Sequence, residues 1–293
     1  MKTYLDNFND ILKRKLIDTG RVQPDDFKNY TIKDKNSNFY IQMTSETESA
    51  YLHGNGYETD WKIKQIRSSS AMIYNLLGNS DVEIMDNPIL PKGNYKKEFE
   101  KQIYTLKKLK NPVLAKRQKP ANLDAWLHNE NAEIFVESKC LEWLENRKER
   151  ELSSGYRKPY RYTYDDSSDM FISASKQISC QQYDSCQMFK HTLAIYNHLR
   201  ENNIRGKKII LANVVWELPK NESLPKEIQK RYDMQLELEH IEFAYFKKQV
   251  KDVIDLFPKD TGCSFDIVYI SVKDFIGMIK YDDEKRKYLE RYL

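Results

Sequence analysis

The stretch Pro120-Ala-Asn-Leu-Asp124-Ala-Trp-Leu-His-Asn-Glu-Asn-Ala-Glu-Ile134-Phe-Val-Glu137-Ser-Lys139-Cys-Leu-Glu142 decides how this chain is read. It divides into two short apolar strands joined by a polar turn, His128-Asn-Glu-Asn131. Side chains alternate between faces along a strand, so Glu137 and Lys139 point one way and Ser138 the other. The first strand carries a single acid, Asp124. Ionised residues sit inside apolar strands only when they are paired or bind something. A short turn makes antiparallel pairing natural, and that pairing would bring Asp124 beside Glu137.

Outward from this stretch, the elements define a mixed α/β protein with one sheet. A helix is expected from Tyr4 to Asp18, stopped by Gly20, followed by a polar segment with turns at Asp34-Lys-Asn-Ser-Asn38 and Gly54-Asn-Gly56. Residues 1–60 thus form an N-terminal extension with no evident role, ahead of a main domain over 61–293. Ser68 caps a short apolar helix that Gly78 closes. Tyr95 to Leu106 has a mixed period and reads as a helix turning into a strand, with Glu98 and Glu100 on it. Glu142-Trp-Leu-Glu-Asn-Arg-Lys-Glu-Arg-Glu reads as a charged helix. Cys186, Phe189, Leu193, Tyr196 and Leu199 make the buried stripe of a helix starting near Tyr183, with Gln187, Lys190 and His191 beside that stripe. Lys207 to Trp216 is an unbroken β-favouring run, suited to a strand covered on both faces. A long helical region over 225–257, a strand from Ser264 and a closing helix over 273–292 complete the order.

With 293 residues, 40% hydrophobic and 31% charged, and a mean hydropathy of -0.77, the chain has ample core and a heavily charged surface. Its formal net charge of +4 is mild, so a polyanionic partner has to be met by local clusters. No apolar run approaches the ~18 residues of a membrane span, and the N-terminus lacks a signal-peptide core. Cysteines 140, 180, 186 and 263 show neither zinc nor CxxC spacing and read as free core thiols, which places the chain in a reducing cytoplasm.

Two carboxylates and a lysine on neighbouring strands suit the hydrolysis of a phosphodiester. That reaction needs an activated water and neutralisation of charge building on phosphorus, which a carboxylate-held divalent metal supplies. Mg²⁺ prefers oxygen ligands and keeps several waters, so Asp124 and Glu137 can suffice together with a substrate phosphate. Lys139 would orient the water or offset phosphate charge. The triplet alone says little, because Asp26-Phe-Lys28, Asp60-Trp-Lys62 and Asp283-Glu-Lys285 share it. A solvated ion pair on an edge strand is the competing reading.

Asp124 followed by Glu137-Ser138-Lys139 resembles the signature of the PD-(D/E)XK nuclease superfamily, although Pro120 stands four residues ahead of the first acid. The Ser68-led helix, Glu-x-Lys-x-x-Glu ending in Glu142, Gln187-Met-Phe-Lys-His191 and Phe265-Asp-Ile-Val-Tyr-Ile-Ser271 are similar to a bacterial restriction-endonuclease-like group within it. The resemblance spans roughly residues 65–275. It implies a restriction-endonuclease-like core, a small central mixed sheet flanked by helices, and Mg²⁺-dependent cleavage of DNA in which Mn²⁺ substitutes. It further implies that Asp124, Glu137 and the Ser138 carbonyl ligate metal, and that Lys139 positions the water. An acid from the earlier segment joins such sites; Glu98 is slightly preferred over Glu100. Gln187, Lys190, His191 and Glu142 would support the ligands or touch phosphate, although the helix trio also reads as an ordinary polar helix face.

Arg147, Lys148, Arg150, Arg157, Lys158 and Arg161, interleaved with Tyr156, Tyr160, Tyr162 and Tyr164, suit contacts to phosphates and bases, as do Lys116 and Arg117 on the other flank. A charged solvated loop is the alternative. The expected activity is that of a bacterial or phage-borne restriction-type endonuclease acting on double-stranded DNA, as a homodimer where the site is palindromic. A non-catalytic nucleic-acid-binding module of the same fold, or an RNA-directed or structure-specific nuclease, are the rivals.

Overall fold

A computed structural model describes residues 2–53, 60–115, 120–145 and 150–293. The expected contacts at Lys116, Arg117, Arg147 and Lys148, and the turn at Gly54–Gly56, lie outside the described residues. Six strands form one sheet: β1 Val82–Ile84, β2 Gly93–Ile103, β3 Ala121–His128, β4 Ala132–Lys139, β5 Lys208–Val215 and β6 Ser264–Ser271. Their spatial order is β6-β5-β4-β3-β2-β1, the order of the chain itself. The first four pair antiparallel, whereas β4, β5 and β6 run parallel. Parallel neighbours need a crossover, and helices supply both.

The helices that matter here are α1 Tyr4–Asp18, α2 Ser69–Leu77, α3 Asp165–Gln177, α4 Ser185–Glu201, α5 Lys226–Gln249, α6 Val272–Met278 and α7 Asp283–Leu289. One core layer packs α1, α2, α6 and α7 against Ile134, Val136, Ala212 and Val214. The other packs α3, α4 and the end of α5 against Phe135, Ile209 and Leu211. Alternating residues of β4 and β5 therefore enter opposite cores, and this is why both read as continuous apolar runs. The result is the mixed, helix-flanked sheet expected of a restriction-endonuclease-like core. Residues from the N-terminal segment share the first core: Phe8 packs edge-on against Trp216, with centroids 6.4 Å apart. Asn38 is bonded by the buried Arg291 guanidinium. Among the described residues no helix is long and apolar enough to cross a membrane. Cys140, Cys186 and Cys263 are buried free thiols.

Four expected elements differ. Tyr95 to Ile103 is strand throughout: Tyr95 and Phe99 are spaced by four, a spacing that serves a helix face and a strand face alike, and pairing with β1 and β3 settles it. Of the charged segment 142–151, Glu142–Leu144 makes a short 3₁₀ turn and Arg150–Glu151 pairs as strand with Ser179–Cys180, while 146–149 lie outside the described residues. The closing helix is two helices, interrupted where Ile279 bridges to Ile84 on the sheet edge. The 225–257 region is likewise α5 followed by two short helices, Lys251–Ile254 and Leu256–Thr261.

Candidate active site

The centre forms where β3 and β4 stop pairing. Their ladder runs from His128–Glu133 to Ala125–Val136 and ends there, at the step where Asp124 would meet Glu137. With no strand carbonyl to receive it, the Ser138 N–H donates instead to Asp124 Oδ2 at 2.6 Å. Ser138 Oγ donates to the same oxygen at 2.7 Å. Both bonds end on Oδ2, so Oδ1 keeps its lone pairs for a further partner. Beyond the parted strands lies a cleft of about 610 Å³, with Asp124, Glu137, Ser138 and Lys139 in its wall.

Glu137 is 3% exposed and holds two partners. Lys139 Nζ donates to Oε1 at 2.5 Å, and His191 Nε2 lies 3.0 Å from Oε2. Lys139 Nζ also donates to Gln187 Oε1 at 2.8 Å. Helix α4 supplies both Gln187 and His191, one turn apart, after Asp184 caps its start by accepting from the Gln187 N–H. Burial alone would push the Glu137 carboxyl up; the Lys139 ammonium and the His191 hydrogen bond overcome it and hold the group at about 2. Asp124 goes the other way. Burial first, then the charges of Glu137 and Glu100, raise it well above the usual carboxylate range. Two carboxylates side by side with opposite shifts mark a site that carries more negative charge than its own residues neutralise.

Of the two early acids, Glu100 and not Glu98 lines the cleft. Glu98 pairs across from Trp126, is bound to Lys101 at 2.9 Å and faces a different hollow, with its side chain half exposed. Glu100 is buried, accepts from the Asn122 side chain and lines the cleft. Its φ of +53° is left-handed, and the β2–β3 pairing passes from Phe99–Ala125 to Lys101–Leu123 with this residue between. A non-glycine residue in that region is strained, and here the strain turns a strand side chain toward the site. The sequence held no sign of a single reversed dihedral.

Glu142 lies in the cleft wall with its carboxylate engaged: Ser69 Oγ donates to Oε1 and the Cys140 N–H to Oε2. It ties α2 to the end of β4. Ser69 also touches the site's frame through its backbone, since its carbonyl accepts from Ser138 Oγ at 3.4 Å. Lys190 lines the cleft on the α4 side and Lys62 on the side of the N-terminal segment. The tyrosine- and arginine-rich loop divides. Tyr156 and Tyr162 are core residues, joined by a hydrogen bond from Tyr162 Oη to the Tyr156 carbonyl, and Arg161 is only 7% exposed. Arg161 is therefore no open phosphate contact: the short 3₁₀ turn around it packs onto α3. Tyr160, 66% exposed, and the exposed Arg157 and Lys158 keep the surface.

Does the site suit a divalent cation? Its donors are carboxylate and carbonyl oxygens, the chemistry of a hard ion, and the raised Asp124 registers uncompensated charge. Among the described residues no three of His, Cys, Asp and Glu converge tightly enough to cage an ion by themselves. The donors thus fit an ion that takes two carboxylates and completes its shell with water, a carbonyl and a substrate oxygen, which is the habit of Mg²⁺.

A mixed sheet between helix layers, parting to expose acids and a lysine, is a restriction-endonuclease-like arrangement. Residues 15–247 match the family model REase-ARP, described as Restriction Endonuclease associating with ARP, and the chain belongs to that family. No curated protein and no solved structure matches it.

Proposed function

We propose that the cleft is a PD-(D/E)XK nuclease centre that hydrolyses phosphodiester bonds of double-stranded DNA with Mg²⁺, for which Mn²⁺ substitutes. The observation that carries this reading is the opening of the sheet between Asp124 and Glu137. It sets one carboxyl that is short of positive charge beside another held by the lysine of its own triplet. Membership of a restriction-endonuclease family supports it.

Asp124, Glu137 and the Ser138 carbonyl would hold the ion, with Glu100 within reach of the same charge. When bound, the ion supplies Lewis-acid stabilisation of the phosphate and a water of lowered pKa. Ser138 fixes Asp124 by its two bonds to Oδ2. His191, donating from Nε2, sets the Glu137 carboxylate plane; it also leaves its Nδ1 buried without a hydrogen-bond partner among the described residues. Gln187 holds the Lys139 ammonium at the cleft, where it can orient the attacking water or meet charge on a phosphate oxygen. Among the described residues six carboxylates and three lysines line the cleft, and a bound divalent cation would offset that excess of negative charge for a polyanion.

The test is cleavage of supercoiled plasmid by the full chain. Mg²⁺ or Mn²⁺ should support cutting and EDTA should stop it. Asp124→Ala and Lys139→Ala should each slow it on the order of 10²-fold or more. Cutting that survives both substitutions would sink the site. Binding without cutting under several divalent metals would favour a non-catalytic module. For a palindromic site the cutter is expected to be a homodimer, which sedimentation on a duplex oligonucleotide reads directly.

A further inference from the structure

Adjoining the cleft is a much smaller space of about 10 Å³, close to the volume that one water needs. Lys139, Asp184 and Gln187 line both it and the cleft, while Asn213 and Glu239 line the small space alone. Asn213 belongs to β5, where it pairs beside Glu137 and is 3% exposed. Glu239 comes from α5, which crosses this face of the sheet: its His240 and Phe243 meet the Tyr269 ring of β6, with centroids 4.9 and 5.7 Å away. The buried residues of α5 are Tyr232, Glu239 and Phe246, spaced by seven, which is the stripe a helix turns to a core. Glu239 stands in the middle of that stripe and is 2% exposed. A leucine there would be buried without the desolvation cost that a carboxylate carries.

Gln187 is the link between this acid and the cleft. Its Oε1 accepts from Lys139 Nζ at 2.8 Å, which leaves the NH₂ end of the amide to donate elsewhere. The two ends of an amide are nearly alike in shape, so the group that meets one end decides what the other end presents. A carboxylate only accepts, directly or through a water, so it draws the NH₂ end toward itself and turns the amide oxygen toward the ammonium. From the placement of Glu239, Gln187 and Lys139 around one water-sized space, we infer that Glu239 is a positioning residue of the cleft. Through a water bound in that space it holds the Gln187 amide, and the amide in turn holds the Lys139 ammonium where substrate meets it. The inference rests on the nuclease reading for what Lys139 does, but the water and the sense of the amide do not depend on that reading.

The experiment compares the full chain with Glu239→Leu and Glu239→Gln in plasmid cleavage with Mg²⁺, together with thermal melting and a high-resolution crystal structure. Leucine suits the buried stripe, so Tm should not fall, yet kcat should drop about tenfold with KM unchanged, as losses behind a site's ligands do. Glutamine keeps an acceptor and should restore most of kcat. In a Gln187→Ala background, Glu239→Leu should cost nothing further, because the link is already cut. An unchanged kcat in Glu239→Leu, a loss that glutamine does not restore, or a loss that simply multiplies with that of Gln187→Ala overturns the positioning role and leaves the nuclease reading standing. The crystal structure of the unaltered chain should show a water within hydrogen-bond reach of Glu239 and Gln187. A space without one overturns the inference, whatever the variants do. That measurement holds even where the unaltered chain fails to cut with Mg²⁺ or Mn²⁺, a result that would count against the nuclease reading instead.

Discussion

Asp124, three residues into β3, and Glu137, two before the end of β4, are chemically alike, yet their surroundings drive them apart. Glu137 is met by Lys139 and His191 on its two oxygens. Asp124 receives only neutral donors from Ser138, and faces the charges of Glu137 and Glu100. Its proton is held more tightly in the folded chain than in the unfolded one. A carboxyl raised in this way favours folding at low pH, and its contribution is lost as pH rises through its folded value. At neutral pH, without divalent metal, Asp124 is thus a destabilising group. Asp124→Asn, which keeps the shape and removes the charge, should raise Tm by about 2 °C at pH 7. It should also abolish the further rise that Mg²⁺ gives the unaltered chain. Calorimetry with and without Mg²⁺ checks both, and a lowered Tm in the metal-free variant would contradict the charge argument. The pair was legible in the sequence, because an acid in each of two apolar strands is rare enough to notice. Glu100 was not, since its place depends on one reversed dihedral.

At the level of elements, β2 shows how a strand brings a buried acid to the cleft by breaking its own alternation. Phe99 faces the core that holds Tyr51 and Tyr74, while Lys101 stacks over Trp126 on the opposite side, 3.7 Å from its ring. Glu100 between them takes the left-handed turn and reaches the cleft. The two glutamates therefore make opposite predictions. Glu100→Gln should weaken the apparent affinity for Mg²⁺ about tenfold or more, as losses around a metal site do. Glu98→Gln removes only a half-exposed ion pair with Lys101, so the affinity should stay where it was. Titration of Mg²⁺ against cleavage rate distinguishes them, and equal effects would remove Glu100 from the site. Helix α4 is the complementary case: its buried stripe already set Gln187 and His191 one turn apart, and packing on the sheet delivered both to Glu137 and Lys139.

On the scale of the whole molecule, the basic and aromatic loop turned out to be partly core. Its sequence suggested one continuous contact surface, but Tyr156, Tyr162 and Arg161 are taken up by packing, which leaves Arg157, Lys158 and Tyr160 outside. Charge reversal at Arg157 and Lys158 together should therefore flatten the salt dependence of duplex binding by about 1.8 in log K against log salt, at about 0.9 per lost phosphate contact. Reversing Arg161 should instead lower stability, because it places an unmatched carboxylate in a buried position. An unchanged slope in the double reversal would take this loop out of the interface.

What the sequence determined by itself was local: strand and helix periodicity, the cap at Ser68, and the two acids and lysine of the opening stretch, each readable from neighbours a few residues away. From these, the mixed sheet and the central position of β4 and β5 followed, because a strand without polar alternation has to be covered on both faces. Only the tertiary structure decided which early glutamate lines the cleft, and which of the loop's tyrosines and arginines meet solvent. Those outcomes depend on contacts between residues far apart in the chain, and on where the β3–β4 ladder ends, and no local pattern encodes either.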